Sequence, residues 1–166
     1  RGLLFEDFEG YRLEYMVMEK CGMTLFEALN NLYSKNPELI PKAVLLIVRQ
    51  VIACLVDAFS EGIMHRDISN GNIAVTIKNG RKGVNVDARV IDWGYSKNAY
   101  WKSSESKKIA QKWKYSYKKV GENEEEHDPF IGAPRYMSIS TLLGISKRNA
   151  IMDIESLFYV VLDALQ

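Results

Sequence analysis

His65-Arg66-Asp67-Ile68-Ser69-Asn70-Gly71-Asn72, followed twenty residues on from Asn72 by Asp92 in Ile91-Asp92-Trp93-Gly94, is the stretch on which the reading of this chain turns. What flanks it gives it a place. Upstream, Pro41 suits the first turn of a long helix. Val44, Val48, Val51, Ile52, Leu55 and Phe59 fall on one stripe of that helix, and Gly62 is the natural stop after Glu61. Downstream, Ile73 to Lys78 and Ala88 to Ile91 read as a hairpin with a long connection, signalled by Asn79-Gly80 and Gly83. The first motif therefore sits between a helix and a hairpin, and the second sits where the hairpin ends.

Further out, Gly2 to Phe8 and Leu13 to Glu19 read as strands around a turn at Glu9-Gly10. Met16, Val17 and Met18 are apolar without alternation, as a strand buried on both faces would be. Thr24, with Glu27 three residues on, makes a capping box for a helix running to about Tyr33. The last helix, roughly Ala150 to Leu165, carries Ile151, Ile154, Leu157, Phe158, Val161, Leu162 and Leu165. That apolar face is wide enough to expect burial in an intact domain. The fold class expected is α+β, mostly α.

Composition excludes little beyond the extremes. The chain has 166 residues, 47% hydrophobic and 26% charged, which allows one packed domain or part of one. Its 22 basic and 21 acidic residues give a net charge of +1, so no overall field points to nucleic acid or a membrane surface. The longest apolar stretch, Ala43 to Leu55, is broken by Arg49 and Gln50 and reads as too short and too polar to span a bilayer. Cys21 and Cys54 have no partner motif nearby. Two lone reduced thiols fit an intracellular setting, cytoplasmic or nuclear. Charge is segregated locally instead. Lys97 to Lys119 holds eight lysines interleaved with tyrosine and tryptophan, and Glu122 to Asp128 is acidic. We read this as a solvated loop with opposite charge blocks, ahead of a docking surface for an acidic partner or for RNA.

The chemistry follows from residue types. Phosphoryl transfer to a hydroxyl needs a carboxylate to orient the hydroxyl and accept its proton, and oxygen ligands for Mg²⁺ across the phosphates. Asp67, Asn72 and Asp92 are of those types, and Mg²⁺ takes only one or two protein carboxylates.

The pattern resembles the protein-kinase catalytic loop H-R-D-x-x-x-x-N and the D-F-G metal site, with Trp93 where Phe is usual. Gly132-Ala133-Pro134-Arg135-Tyr136-Met137-Ser138-Ile139-Ser140 resembles the end of an activation segment in the casein kinase one group. His-Arg-Asp-Ile-Ser and Asp153-Ile154-Glu155-Ser156 also resemble the fungal-type protein kinase family, and the two likenesses are not separable from the residues. The resemblance implies a kinase-like fold. Residues 1–19 would be a remnant of the N-lobe strands. Residues 20–166 would form a partial C-lobe, with the catalytic loop at 65–72, the metal motif at 92–94, the activation segment at 92–140 and a buried helix at about 150–165. It implies ATP and Mg²⁺ as cofactors and a protein bearing Ser or Thr as substrate, with no nucleic acid or membrane partner and the oligomeric state open.

By the same likeness Asp67 is the catalytic base, with Ser69 beside it in the catalytic set, and Asn72 and Asp92 hold magnesium. Val17-Met18-Glu19-Lys20-Cys21-Gly22 resembles the hinge. Adenine would bond backbone groups of Glu19 and Cys21, with Met18 as gatekeeper, Ala74 beneath the ring and Ile91 nearby. His65, Arg66, Gly94 and Asp153 take structural or regulatory parts, Asp153 bonding the catalytic-loop backbone. Arg66 could pair with a phosphate on a serine of the basic loop.

Two departures qualify the likeness. Ser69 stands where serine/threonine kinases usually have Lys, and Ala133 stands where many have the Thr that meets both this Lys and the catalytic Asp. Losing one charge-stabilising donor costs about 10²–10³-fold in rate, which slows an enzyme without abolishing it. No glycine-rich loop or V-A-I-K lysine lies within the sequence, so it reads as a piece that would be inactive alone. Two other functions stay in play, a pseudokinase-type binding module and a small-molecule phosphotransferase. Arg66 and the Gly132 to Ser140 segment argue against the latter.

Overall fold

The computed structural model describes residues 2–8, 11–17, 19–80, 83–98, 131–144 and 150–166, with the backbone alone for 2–8, 11–17, 79–80, 98 and 150. Helices and small antiparallel sheets alternate, so the chain is of mixed α+β type.

The first two strands, β1 (Gly2–Phe8) and β2 (Tyr11–Val17), pair antiparallel in full register, from Phe8 opposite Tyr11 to Gly2 opposite Val17. The second strand was expected at Leu13 to Glu19. It begins earlier, at Tyr11 opposite Phe8, and Met18 lies outside the described residues. The expected turn at Glu9-Gly10 lies outside the described residues.

β3 (Met23–Thr24) leads into α1 (Leu25–Lys35) through the expected capping box. Thr24 Oγ1 accepts from the Glu27 N–H at 3.3 Å, and Glu27 returns a carboxylate oxygen to the Thr24 N–H at 3.0 Å. These bonds hold the Glu27 carboxyl below its ordinary range, the Thr24 backbone bond acting most strongly. Leu25, Ala28, Leu29 and Leu32 are buried.

α2 (Ile40–Ser60) has Pro41 in its first turn and gives way to Gly62 at φ +75°, a left-handed stop that glycine adopts without strain. Its buried stripe is Ala43, Val44, Ile47, Val51 and Leu55, while Ile52, expected on that stripe, is 37% exposed. A helical turn of 3.6 residues rotates position 52 off a face centred on 44, 47, 51 and 55. The estimate that this region is too short and polar to cross a membrane also needs correction. Including the preceding turn, Pro37–Ser60 is long and apolar enough by length and composition, with a window of mean hydropathy 2.1. Here it is a core helix, lying against the second hairpin strand and the last helix.

After β4 (Ile63–Met64) and the loop, β5 (Ile73–Gly80) and β6 (Gly83–Val90) form the hairpin. They pair from Ile73 opposite Val90 to Gly80 opposite Gly83. The second strand is longer than the expected Ala88 to Ile91, and the long connection shrinks to two residues. Val84 and Val86 alternate inward between exposed Asn85 and Asp87, the pattern of a half-buried strand. The sheet order is β3-β5-β6, leaving β6 as an outer strand. A side chain takes the place of its next neighbour. The Gln50 amide donates to the Val86 carbonyl and accepts from the Ala88 N–H, both at 2.9 Å.

β7 (Lys97–Asn98) pairs with β4, and the chain closes with the short α3 (Ile139–Leu142) and with α4 (Ala150–Ala164). Met152, Asp153, Leu157 and Val160 are buried on α4, whereas Ile151 and Phe158 are 72% and 58% exposed. Only a narrow seam of its wide apolar face meets α2 and the core here. Both cysteines are free thiols.

Candidate active site

The loop 65–72 is fixed from several directions. Its first residue, His65, is fully buried, with a ring nitrogen 3.0 Å from the Ile91 carbonyl oxygen. The Trp93 ring packs edge-on against it at 4.6 Å. From below, the Asp153 carboxylate accepts the His65 N–H at 2.7 Å and the Arg66 N–H at 2.8 Å. Arg66 is thereby held at φ +70°, unusual for a residue with a side chain, and its Nε donates to the Tyr95 carbonyl at 2.6 Å. Burial raises the Asp153 carboxyl, and the two N–H groups pull it back in part.

Asp67 and Asn72 are brought together. Asn72 Nδ2 donates to Asp67 Oδ2 and to the Asp67 carbonyl, both at 2.8 Å. The other Asp67 oxygen accepts the Ala133 N–H at 3.0 Å. Asp67, Ser69, Asn72, Tyr95, Ile131, Gly132 and Ala133 line one open cleft of about 420 Å³. Asp92 is not among the residues that line this cleft. Its tether is the peptide before it, since the Ile91 N–H donates to the Asn72 carbonyl at 2.9 Å. Asp92 adopts φ +59°, and its Oδ1 accepts the Gly94 N–H at 3.3 Å.

The expected adenine set is spread along the sheet that supports this loop. Glu19 and Cys21 lie just before β3, Cys21 donating its thiol to the Glu19 carbonyl at 3.4 Å. Ala74 is buried on β5 directly opposite Thr24, and Ile91 is half-buried at the end of β6. Met18, the expected gatekeeper, lies outside the described residues, as does nearly all of the basic and acidic loop with its serines.

Among the described residues no three His, Cys, Asp or Glu side chains gather as a metal cluster. Two oxygen donors of the type a hard cation takes are present, the Asn72 amide and the Asp92 carboxylate. Asn72 gives its amide nitrogen, not its oxygen, to Asp67, and the Asp92 carboxylate is exposed. One amide oxygen and one carboxylate are what a hard cation shared with phosphates takes from a protein.

Sequence reasoning missed a polar network at the other side of the loop. Tyr136 donates to Asp163 at 2.6 Å and accepts from Asn70 at 2.8 Å, and Arg135 pairs with the same Asp163 carboxylate. It joins the loop, the turn at Pro134–Tyr136 and the end of α4. Burial, then the bond to the Asp163 carboxylate, pushes the Tyr136 phenol up to about 12. Local spacing carries no trace of a network whose members are distant in sequence. The one available signal was a polar Asp163 inside an apolar helical run.

The fungal protein kinase family model matches residues 16–164. Among curated proteins, the chain is 29% identical over 146 residues to a probable serine/threonine-protein kinase of Dictyostelium discoideum. The match covers 85% of this chain and 29% of that relative, so the chain spans about three tenths of the relative's length.

Proposed function

The chain belongs to the fungal protein kinase family, and from that premise we propose that in its full-length protein it supplies the catalytic half of a serine/threonine kinase. Residues 20–166 would be the C-lobe, beneath strands belonging to the N-lobe. The observation that carries this reading is the Asp67–Asn72 pair at 2.8 Å in an open cleft, with Ile91, the residue before Asp92, bonded to the Asn72 carbonyl.

In this reading Asp67 orients a substrate Ser or Thr hydroxyl and takes its proton. The hydroxyl oxygen bonds to the γ-phosphorus of ATP as the bond to the β-phosphate oxygen breaks and ADP leaves. Magnesium, held by Asn72 Oδ1 and the Asp92 carboxylate, would neutralise the phosphate charge. Asn72 also keeps the Asp67 carboxylate turned to the cleft, and the segment from Glu19 to Cys21 offers backbone groups to adenine. Asp67 needs no cation to be oriented, since both its oxygens already accept amide N–H groups. That supports an oriented base despite Ala133, while Ser69 still leaves the transferred phosphate without a lysine.

The test is magnesium-dependent transfer of labelled γ-phosphate from ATP by the full-length protein, on a panel of Ser, Thr and Tyr peptides and small alcohols. Transfer to Ser and Thr peptides is expected, with Asp67→Asn lowering kcat by about 10²–10⁴-fold. A docking module would show no turnover and no response to that substitution. A small-molecule phosphotransferase would prefer the alcohols.

A further inference from the structure

The hairpin strand β5 is paired along only part of one edge. Val86 and Ala88 turn a carbonyl and an N–H outward from β6 to the Gln50 amide. In an antiparallel ladder residues alternate between the two edges, so Asn85 and Asp87 bond inward to Lys78 and Thr76 of β5. Ile77 and Asn79 therefore direct their N–H and C=O groups to the other edge of β5. On that edge β3 meets only Ala74 and Val75. The chain ahead of β3 does not extend the pairing. It turns at Gly22, φ +92°, and carries Glu19 to within 3.7 Å of Arg89 on β6. Among the described residues no turn, loop or side-chain bond reaches the Ile77 backbone.

Beside this open edge lies a cavity of about 260 Å³. Ala28 and Leu32 of α1, Met23 of β3 and Ile77 itself give it an apolar lining, with Lys35 and Asn36 from the end of α1. Lys35 and Lys78, which follows Ile77, are exposed and have no acidic partner among the described residues. We propose that this edge and cavity form a docking site for an extended, acidic segment of another protein, which adds to β5 as a strand in line with β3. The residue of that segment opposite Ile77 shares its face and puts an apolar side chain into the cavity, while its N–H and C=O bond those of Ile77. The residue two before it bonds Asn79. Lys35 and Lys78 favour a segment with carboxylates around this anchor over a basic one. A second copy docking edge to edge would set these lysines against their own counterparts. The site shares no lining residue with the cleft at Asp67, and it stands apart from the phosphotransfer reading.

Random displayed peptides of about ten residues, selected on the full-length protein without nucleotide, test this. The selected peptides should alternate apolar and polar residues and carry Asp or Glu. Lys35→Glu, a change at an exposed position, should weaken their binding about 3–10-fold. The anchor is the apolar position whose change to alanine costs most. N-methylation of the anchor, or of the residue two before it, should weaken binding about tenfold or more, whereas methylation of the residue between them should not. That alternation marks strand addition and needs no variant of the protein. No enrichment, enrichment of basic peptides, undiminished binding to Lys35→Glu, or indifference to N-methylation each overturns the proposal. A full-length protein that protects the Ile77 amide from hydrogen exchange before any peptide is added overturns it too, because the edge is then covered by its own chain. So does self-association that Lys35→Glu disrupts, which would give the groove to a second copy.

Discussion

Asp153 reaches across 88 residues of chain to accept the His65 N–H at 2.7 Å, and its second oxygen takes the neighbouring Arg66 N–H at 2.8 Å. One buried carboxylate at the start of α4 therefore satisfies two backbone donors in a loop that has no secondary structure to satisfy them. It also holds Arg66 in a left-handed conformation that costs about 1–3 kcal/mol unless its surroundings enforce it. The candidate site is assembled on the last helix as much as on the hairpin.

Removing that carboxylate leaves both N–H groups buried without their acceptor. Each such group costs about 1–3 kcal/mol, so Asp153→Ala is expected to destabilise the protein by about 2–5 kcal/mol. Asp153→Asn keeps one acceptor oxygen and should lose less. Chemical denaturation of the three proteins checks the order, and equal stability of wild type and Asp153→Ala would show that the loop does not depend on this anchor.

The same group sets a pH dependence. Burial raises the Asp153 carboxyl above its ordinary value of 3.8, against the opposing pull of the two N–H bonds. Between the ordinary and the raised value the native state holds more protons than the unfolded chain. Stability from this group then falls as pH rises through that window, the reverse of a salt-bridged carboxylate. The stability difference between wild type and Asp153→Asn, followed upward from about pH 4, should shrink. A difference that grows would mean that the two N–H bonds outweigh burial.

Local rules were legible where they act over a few residues. The capping box at Thr24 and Glu27, the helix stop at Gly62 and the strand at Ile73 are written in adjacent residues, so they could be read directly. The limits of β6 were misjudged because Asn85 and Asp87 look like loop residues until their alternation with Val84 and Val86 is counted. Of the candidate site, Asp67, Asn72 and Asp92 stood out by type and spacing. The groups that orient them did not. The Ala133 N–H has no side-chain signature, and the Asp92 tether is a backbone bond at Ile91. Asn70, Tyr136 and Asp163 meet only when the chain folds.

Gln50 illustrates a polar residue misread as a blemish in an apolar helix. Its amide completes the outer edge of β6 by bonding Val86 and Ala88, as a neighbouring strand would. Gln50→Leu preserves apolar bulk but leaves both backbone groups without this partner. The expected loss is about 1–3 kcal/mol, with amide hydrogen exchange at Ala88 speeding up in particular. Unaltered exchange there would mean that the helix side chain does not protect the strand.

The Tyr136 network makes a prediction about coupling rather than about one residue. The phenol hydroxyl is both donor to Asp163 and acceptor from Asn70, so deleting it affects both neighbours at once. Tyr136→Phe should cost about 0.5–1.5 kcal/mol for a buried hydrogen bond. The pair can be separated by a double-mutant cycle with Asn70→Ala. If the two act through one network, their combined cost falls short of the sum by about 0.5 kcal/mol or more; additive costs would mean that Asn70 and Tyr136 stabilise the protein independently. Because Asn70 lies in the same loop as Asp67, the coupling also says whether the end of α4 and the cleft move as one unit. If the network helps to arrange the cleft, Tyr136→Phe should lower kcat of the full-length protein in parallel with the loss in stability. A cycle that couples in stability but leaves kcat untouched would confine the network to holding the helix, with no hand in arranging the cleft.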